Sequence, residues 1–256
     1  MLKTDINCDM GESSPLWDYS LERDLNILPF ISSVNLACGY HAGDPHVMHT
    51  MVEAAMKAGI AIGAHPSFPD KENFGRSDMQ LPPEKVYDIV LYQLGALSAF
   101  LQVNGAALHH VKPHGALYNM AAKDAVLARA IADAVYDFDG SLILYGLSGS
   151  ELIETGRHDF LATCNEVFAD RTYQDDGSLT PRSHPDALLK SEEAVVAQVL
   201  QMVQQQTVTT ISGKTIPVKA ESICIHSDGA HALQFAKAIH HALTNANIQI
   251  TSPVKN

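Results

Sequence analysis

Cysteine is scarce in this sequence, and its four cysteines are not arranged in pairs. Cys8, Cys38, Cys164 and Cys224 are scattered over 256 residues, each in a strand-like stretch beside apolar residues, without a Cys-X-X-Cys motif. Isolated cysteines of this kind are typical of buried free thiols in a reducing compartment. We therefore expect no disulfide framework.

Positive charge is also in short supply. Lys and Arg number 17 against 29 Asp and Glu, which gives a formal net charge of −12. Because nucleic-acid binding needs clustered cations, this balance excludes a nucleic-acid footprint. The sequence has no apolar signal core near Met1 and no run approaching roughly 18 apolar residues. These features predict a cytoplasmic protein with no membrane partner.

Several nucleotide and hydrolase motifs are missing as well. The sequence contains no Gly-X-X-X-X-Gly-Lys-Ser/Thr loop and no strand-linked Gly-X-Gly-X-X-Gly, and Gly146 and Gly149 have the wrong spacing for Gly-X-Ser-X-Gly. These motifs mark phosphate loops, dinucleotide sites and serine nucleophiles, respectively. If ATP takes part in the reaction, this chain has no recognisable ATP-binding motif of its own.

What the sequence does contain is an alternation of short apolar runs with longer helical patterns. Strands are predicted at 3–9, 33–39, 60–65, 107–112, 141–145, 165–169 and 222–227, helices at 46–58, 83–104, 121–137, 149–155, 191–206 and 229–245, and a small hairpin or loop at 207–217. This alternation implies parallel strands with crossover helices. Seven such units without a linker predict one α/β domain over 1–256, near the size of a closed (β/α) barrel. A doubly wound open sheet is the alternative that pattern alone leaves open.

The first predicted strand has polar residues on one of its faces. Asp5, Asn7 and Asp9 alternate with Ile6 and its apolar successors, so the three polar side chains share a face. A carboxylate that faces the inside of a barrel has to be paired, hydrogen-bonded or bound to a metal. Three such residues on one strand are hard to explain as ordinary core.

Five other predicted strands deliver ionisable or polar residues to their ends, followed by glycine or proline turns. They supply Asn35 and His41, then His65, then Lys112 and His114, then Asp170 and Arg171, and finally His226 and Asp228. Ligands of parallel barrels bind at the C-terminal ends of the strands. The shared location therefore predicts one active site at that rim.

Each of these residues also has a simpler interpretation when it is taken alone. Taken alone, a histidine such as His41 or His65 is more often a buried, hydrogen-bonded residue than a catalytic one. Asp44 alone is more often a helix N-cap than a site residue. Arg76 and Arg171 could equally be solvated loop residues. Lys112 could pair with a neighbouring carboxylate at the barrel rim. Glu12 could face the N-terminus of the first helix. Polar residues with unrelated structural roles would not all lie at the same end of the barrel. Taken together, the residues therefore favour an active site.

The predicted site could work in two ways. Histidines and carboxylates can hold a divalent metal, although the sequence has no tight ligand spacing such as His-Glu-X-X-His. The same groups can carry out metal-free acid–base catalysis on a carbonyl, with a His or Asp polarising water. Lys112, Arg76 and Arg171 are the cations available to bind a substrate carboxylate or phosphate.

At these residues the sequence closely resembles the LamB/YcsF family. The matching blocks are Asp5-Ile-Asn-Cys-Asp-Met-Gly-Glu12, Asn35-Leu-Ala-Cys-Gly-Tyr-His-Ala-Gly-Asp44, Gly63-Ala-His-Pro-Ser67, Phe74-Gly-Arg76, Val111-Lys-Pro-His-Gly-Ala-Leu-Tyr118, Glu166-Val-Phe-Ala-Asp-Arg171 and His226-Ser-Asp-Gly229. They follow the family order and span nearly the whole chain. The resemblance implies a distorted (β/α)7 barrel like those of the glycoside hydrolase/deacetylase superfamily.

The resemblance also implies a reaction and its partners. Family members are identified as the A component of 5-oxoprolinase, an enzyme that converts 5-oxo-L-proline to L-glutamate while ATP, a co-substrate, is hydrolysed to ADP and phosphate with subunits B and C. Asp9 and His41 would then activate water or hold a metal, with His65 and His114 as the next candidates. The metal candidates, if there is a metal, are Asp9, His41 and His114.

The remaining predicted roles concern the substrate. Lys112 and Arg76 would receive its carboxylate or a phosphate. Further substrate-binding residues are predicted on the inner strands and on the far wall: Asn7, Asn35, Asp170, Arg171, His226 and Asp228. Two other functions stay open: a metal-dependent deacetylase of carbohydrate amides, and a non-catalytic subunit that only positions 5-oxoproline for its partners.

Overall fold

Seven parallel strands close into a barrel. A computed structural model describes residues 1–227, 229 and 231–254. The barrel strands are β1 (Lys3–Met10), β2 (Ser33–Ala37), β3 (Ala61–His65), β4 (His110–Val111), β5 (Ile143–Leu147), β6 (Ala162–Phe168) and β9 (Ser222–His226). They pair in that order, and β9 pairs in turn with β1, so the sheet has no free edge. The predicted closed barrel is confirmed, and the open sheet is excluded.

Helices cover the outside of the barrel. They are α1 (Leu21–Ile27), α2 (Pro45–Ala58), α3 (Pro83–Val103), α4 (Gly115–Ala121), α5 (Ala125–Asp139), α6 (Glu151–His158), α7 (Glu192–Gln205) and α8 (Ala232–Asn245), with a short 3-10 turn at Leu28–Phe30. By length and composition α3 could cross a membrane, but its buried face packs against α5 and β3, as in a core helix. The predicted 207–217 hairpin is confirmed as β7 (Thr207–Thr209) paired with β8 (Thr215–Pro217).

Local signals set the ends of these helices. The side chain of Asp44 accepts hydrogen bonds from the backbone N–H groups of His46 and Val47, so the simpler interpretation of Asp44 as an N-cap is confirmed. Gly59 ends α2 in the left-handed conformation, with φ +69°. The turn into α2 thereby brings the preceding loop, with His41, against the barrel rim.

The structure differs from the predicted elements mainly at four places, where an element was missed or its bounds differ. Helix α1 was missed, although Ser20 caps it through the N–H of Arg23. The helix predicted at 121–137 begins only at Ala125, where Asp124 caps it, and the preceding helix α4 (Gly115–Ala121) was missed. The predicted strand 107–112 narrows to His110–Val111, although the N–H groups of His109 and Lys112 on either side still donate to Ile62 and Ala64 of β3. A two-residue strand, β10 (Gln249–Ile250), adds to the outer end of β1.

The inside of the barrel is polar, and its polar groups are paired. Ile6, Cys8 and Met10 belong to the apolar core between the strands and helices, whereas Asp5, Asn7 and Asp9 point inward, which confirms the predicted alternation. At the bottom, the Asp5 carboxylate accepts four hydrogen bonds, from Ser32, Ser33, Ser222 and Tyr145. The four cysteines are buried and free, also as predicted.

Phe160, just after α6, has a backbone conformation that should cost stability. Its φ is +65° and the residue is 86% exposed, so the ring gains little packing to offset the steric cost of the left-handed region. We expect Phe160→Gly to raise the free energy of unfolding by about 0.5–1 kcal/mol. Urea denaturation should detect it. Phe160→Ala is the control: it removes the ring and keeps the β-carbon, so a gain as large as that of the glycine variant would contradict the strain argument.

Candidate active site

The C-terminal ends of the barrel strands open into a cavity of about 660 Å³. Residues at or just after these ends line it, among them Asp9, His65, Lys112, His114, Arg171 and His226. Parallel strands bring their carboxyl ends to one rim, so residues far apart in sequence meet there. The structure thus brings together most of the residues predicted from the strand ends.

Lys112 lies on the floor of this cavity between two carboxylates. Its Nζ is 2.9 Å from Asp9 Oδ1 and 2.8 Å from Glu166 Oε1. Burial by itself would lower the pKa of Lys112, but the two carboxylates outweigh burial and raise this pKa well above its usual value. Burial would likewise raise the pKa of Asp9, yet His65 and Lys112 hold it well below its usual value. The floor therefore carries fixed charges.

Asn7 and Asn35 support this floor from below. Asn35 Nδ2 donates to Asp9 Oδ1 at 2.8 Å and to Asn7 Oδ1 at 2.7 Å. Asn7 Nδ2 in turn donates to Glu166 Oε1 at 2.8 Å. Both asparagines are fully buried beneath the cavity rather than in its lining. Their substrate-binding role stays a prediction; in the structure they hydrogen-bond to the Asp9 and Glu166 carboxylates.

A second group, the Glu12–histidine cluster, consists of Glu12, His41, His65 and His114. Glu12 Oε1 lies 3.1 Å from His41 Nε2, 3.4 Å from His114 Nδ1 and 3.9 Å from His65 Nε2. The rings of His41 and His114 stack with centroids 3.8 Å apart. Burial lowers the pKa of His41 and of His114 well below the usual value, so both rings are neutral near pH 7.

The three metal candidates predicted from the sequence are not one compact set. His41 and His114 lie with Glu12 and His65, in a group whose ligand atoms are all within 4.8 Å of one another. Asp9 Oδ2 is 3.4 Å from His65 Nε2, and Asp9 also forms a separate group with Cys224 and His226. The structure thus adds Glu12 and His65 to the candidate ligands, and metal binding itself stays a prediction.

His226 and Asp170 form a hydrogen-bonded pair beside Asp9, on the strand next to β1 rather than on the predicted far wall. His226 Nδ1 lies 3.1 and 3.2 Å from the two Asp170 carboxylate oxygens. Burial would raise the pKa of Asp170, but His226 and nearby arginines outweigh it and lower the pKa. A nitrogen of His226 is within 4.8 Å of an Asp9 oxygen. Asp228, which was predicted beside this pair, lies outside the described residues.

Arginines surround the mouth of the cavity. Arg76, Arg171 and Arg182 all line it. The guanidinium carbon of Arg76 lies 4.5 Å above the Phe74 ring, and Arg171 is buried, where it donates to the carbonyl oxygens of Thr180 and Ala187. Burial and the charge of Arg182 lower the pKa of Arg171 to about 10. The solvated-loop interpretation therefore fails for Arg171.

The sequence interpretation missed several members of the site. Glu12 was assigned to a helix N-terminus, and it lies among the histidines instead. Glu166 was quoted only as the start of a block, yet it pairs with Lys112 and accepts a 2.7 Å hydrogen bond from Tyr118. Its position on β6, two residues before Phe168 and facing inward like Asp9, is the signal that could have identified it. No comparable signal pointed to Arg182, which comes from a long loop.

Comparison with known proteins agrees with this geometry. The model of the LamB/YcsF family matches residues 4–256. The chain belongs to the LamB/YcsF family. It is 55% identical to the A component of 5-oxoprolinase from Tolumonas auensis over 250 residues, which cover 98% of this chain and 99% of that one. It is 52% identical to the corresponding 5-oxoprolinase component of Bacillus subtilis over 252 residues, which cover 98% and 97%.

A solved structure of a similar protein shows the same fold. The lactam utilization protein from Thermus thermophilus superimposes with a TM-score of 0.91 at 43% identity, covering 98% of this chain and 100% of that chain. The names of these relatives agree with the resemblance found in the strand-end blocks. The family assignment thus rests on the entire barrel.

Proposed function

We propose that this chain opens the lactam ring of 5-oxo-L-proline as the cytoplasmic A component of an ATP-dependent 5-oxoprolinase. The supporting observation is the arrangement at the strand ends, where Asp9, paired with Lys112, and His226, paired with Asp170, lie side by side on the neighbouring strands β1 and β9. An imidazole oriented by a carboxylate is a general acid and base, and a lysine–carboxylate floor can orient water and the substrate. The substrate comes from the names of the full-length relatives.

The coupling to ATP explains why partner subunits are needed. Hydrolysis of a lactam with little ring strain is unfavourable, and the sequence contains no phosphate loop. Subunits B and C would bind ATP and transfer its γ-phosphoryl group to the lactam oxygen, releasing ADP. Water then adds to the ring carbon, and the C–N bond breaks as the nitrogen takes a proton. A second water converts the resulting glutamyl phosphate into L-glutamate and phosphate.

Each pair of residues has a part in these steps. Asp170 accepts the hydrogen on Nδ1 of His226, which leaves the other ring nitrogen free to take a proton from water and return it to the leaving nitrogen. Asp9, whose pKa is held low by His65 and Lys112, accepts a hydrogen bond from the attacking water. The arginines at the mouth are suited to bind the substrate carboxylate and the phosphoryl group.

The test is glutamate release from 5-oxoproline and ATP by this chain reconstituted with subunits B and C. We expect His226→Asn to lower kcat by about 10²–10⁴-fold, because the variant can neither take nor give the proton. His158→Asn is the matched control, since His158 is 80% exposed at the end of α6 and should keep full activity.

Other outcomes would favour the rival functions. Unchanged glutamate release by His226→Asn, and also by Asp9→Asn, would indicate a subunit that only positions substrate. ATP-independent release of acetate from acetylated sugars would favour the deacetylase. Robust glutamate formation by the chain alone would reject the division of labour with subunits B and C.

A further inference from the structure

Hydrogen bonds on the outer side of the Glu12–histidine cluster determine which ring nitrogens carry protons. His65 Nδ1 is 2.7 Å from the backbone oxygen of Lys112, and His114 Nε2 is 2.8 Å from the backbone oxygen of Phe74. A carbonyl oxygen only accepts, so both of these nitrogens donate. With hydrogens on those outer nitrogens, the opposite nitrogens, His65 Nε2 and His114 Nδ1, are the ones that can offer lone pairs to a metal ion.

His41 follows the same rule through a hydroxyl group. Its Nδ1 lies 2.9 Å from Ser67 Oγ, and Ser67 Oγ donates its own hydrogen to the backbone oxygen of Phe68 at 2.9 Å. Since that hydrogen is already used, Ser67 accepts from His41 Nδ1. His41 Nε2 consequently presents a lone pair towards Glu12 as well. Three inner imidazole nitrogens and one carboxylate oxygen thus lie within 4.8 Å of one another.

From this convergence we infer that Glu12, His41, His65 and His114 together bind one divalent transition-metal ion. The inner atoms are spaced for it: His65 Nε2 and His114 Nδ1 are 3.0 Å apart, and the three nitrogens lie 3.1, 3.4 and 3.9 Å from Glu12 Oε1. Ligand atoms about 2.0–2.1 Å from a tetrahedral Zn²⁺ are about 3.3 Å from one another. Three nitrogens and one oxygen suit Zn²⁺ and its first-row neighbours.

The backbone around the cluster is built to hold its outer hydrogen bonds. Phe74, whose carbonyl orients His114, has φ +57°, a conformation that costs energy in a residue with a side chain. A β-carbon on the next residue, Gly75, would lie 2.8 Å from His41 Cβ and 2.9 Å from His114 Cδ2. Outer partners that fix the tautomer and the ring orientation are typical of metal-binding histidines.

The ion would also be accessible from the active site. Glu12, His65 and His114 line the cavity, on the same side as Asp9. Bound there, a divalent cation supplies a Lewis acid beside the water and substrate positions. The inference concerns ion binding by the chain itself, and it does not depend on the lactam being the substrate.

The test uses the full-length chain, stripped with a chelator and titrated with Zn²⁺ in a calorimeter, with metal content measured by mass spectrometry. We expect one ion per chain and a Tm that rises by roughly 5–10 °C when Zn²⁺ is about 100-fold above its Kd. Glu12→Gln and His114→Gln should each weaken Zn²⁺ binding by at least about 100-fold.

Two control variants separate this site from other histidines. His49→Gln removes an exposed histidine that lies 3.6 Å from Glu53, and His226→Gln removes the histidine of the other cavity group; both should leave Zn²⁺ affinity unchanged.

If the cluster variants fail to fold, anomalous scattering from Co²⁺ in crystals of the unmodified chain locates the ion. No stoichiometric binding, or an ion found at His226 or His49, overturns the inference. An ion bound at the cluster without glutamate formation would reject the proposed function alone.

Discussion

Lys112→Met is expected to lower the free energy of unfolding by about 3–5 kcal/mol and glutamate formation by about 10³-fold. Methionine fills a similar volume but carries no charge, so the Asp9 and Glu166 carboxylates would lose the cation that lies within 2.9 Å of both. Both carboxylates are buried, and a buried charge without its partner is much more costly than an exposed one. The floor that is proposed to orient water and substrate would also lose its geometry.

Urea denaturation and the reconstituted glutamate assay measure the two effects. Both belong near pH 7: because the pKa of Lys112 is raised, its contribution to stability is complete below the unfolded-state pKa of about 10.4 and is lost only as pH rises through the higher folded-state value. Lys85→Met, at an exposed lysine, should cost at most about 0.5 kcal/mol.

A double variant tests the cause of the Lys112 effect. Lys112→Met combined with Glu166→Gln removes one of the two stranded charges, so it should recover part of the lost stability without recovering activity. If the double variant were as unstable as the sum of its parts, packing rather than charge would explain the loss. A fully stable Lys112→Met would show that the ion pair contributes nothing to folding.

The barrel and the location of the site were predictable because they follow from periodicity. Asp5, Asn7 and Asp9 face inward for the same reason that Ile6 faces the helices, namely the two-residue period of a strand. Residues at successive strand ends share one rim whenever the strands are parallel. These are local rules, so a single sequence was enough to apply them.

The pairing of residues inside the site was not predictable, because it depends on barrel closure. Lys112, just after β4, and Glu166, on β6, meet in the interior although β5 lies between their strands, and Asn7 joins β1 to the same carboxylate. Glu12 meets three histidines, one at the end of β3 and two in the segments that follow β2 and β4. Strand order states which strands are neighbours, but the contacts across the interior depend on barrel radius and side-chain length, which no local pattern contains.

The glycine of β3 illustrates how such a contact reaches the site. Gly63 is paired with Asn35 on β2 and with His110 on β4. A β-carbon on Gly63 would lie 2.2 Å from His110 Nε2, the atom that contacts Asn35 Oδ1 at 2.7 Å. The imidazole therefore occupies the space that the missing side chain leaves. Asn35 in turn holds Asp9, so the glycine supports the floor of the cavity from the neighbouring strand.

Gly63→Ala is consequently expected to destabilise the protein by about 2–4 kcal/mol and to lower activity as well. His110 is fully buried and stacks on Tyr145 at 4.3 Å, so it cannot move away without breaking its bond to Asn35. Thermal and urea unfolding measure the loss. Gly95→Ala is the matched control: Gly95 is exposed in α3, a β-carbon there meets no atom within 4 Å, and the change should stabilise by about 0.5–1 kcal/mol.

A double-mutant cycle with His110→Ala identifies the clash as the cause. Once the imidazole is gone, the new methyl group of Gly63→Ala has room, so the double variant should be less destabilised than the sum of the two single variants by about 1–3 kcal/mol. His110→Ala alone should still cost stability, because it leaves a cavity and an unpaired Asn35 oxygen. Strict additivity would mean that Gly63 is needed for its backbone conformation alone, and that the link through Asn35 to Asp9 is not how this strand supports the site.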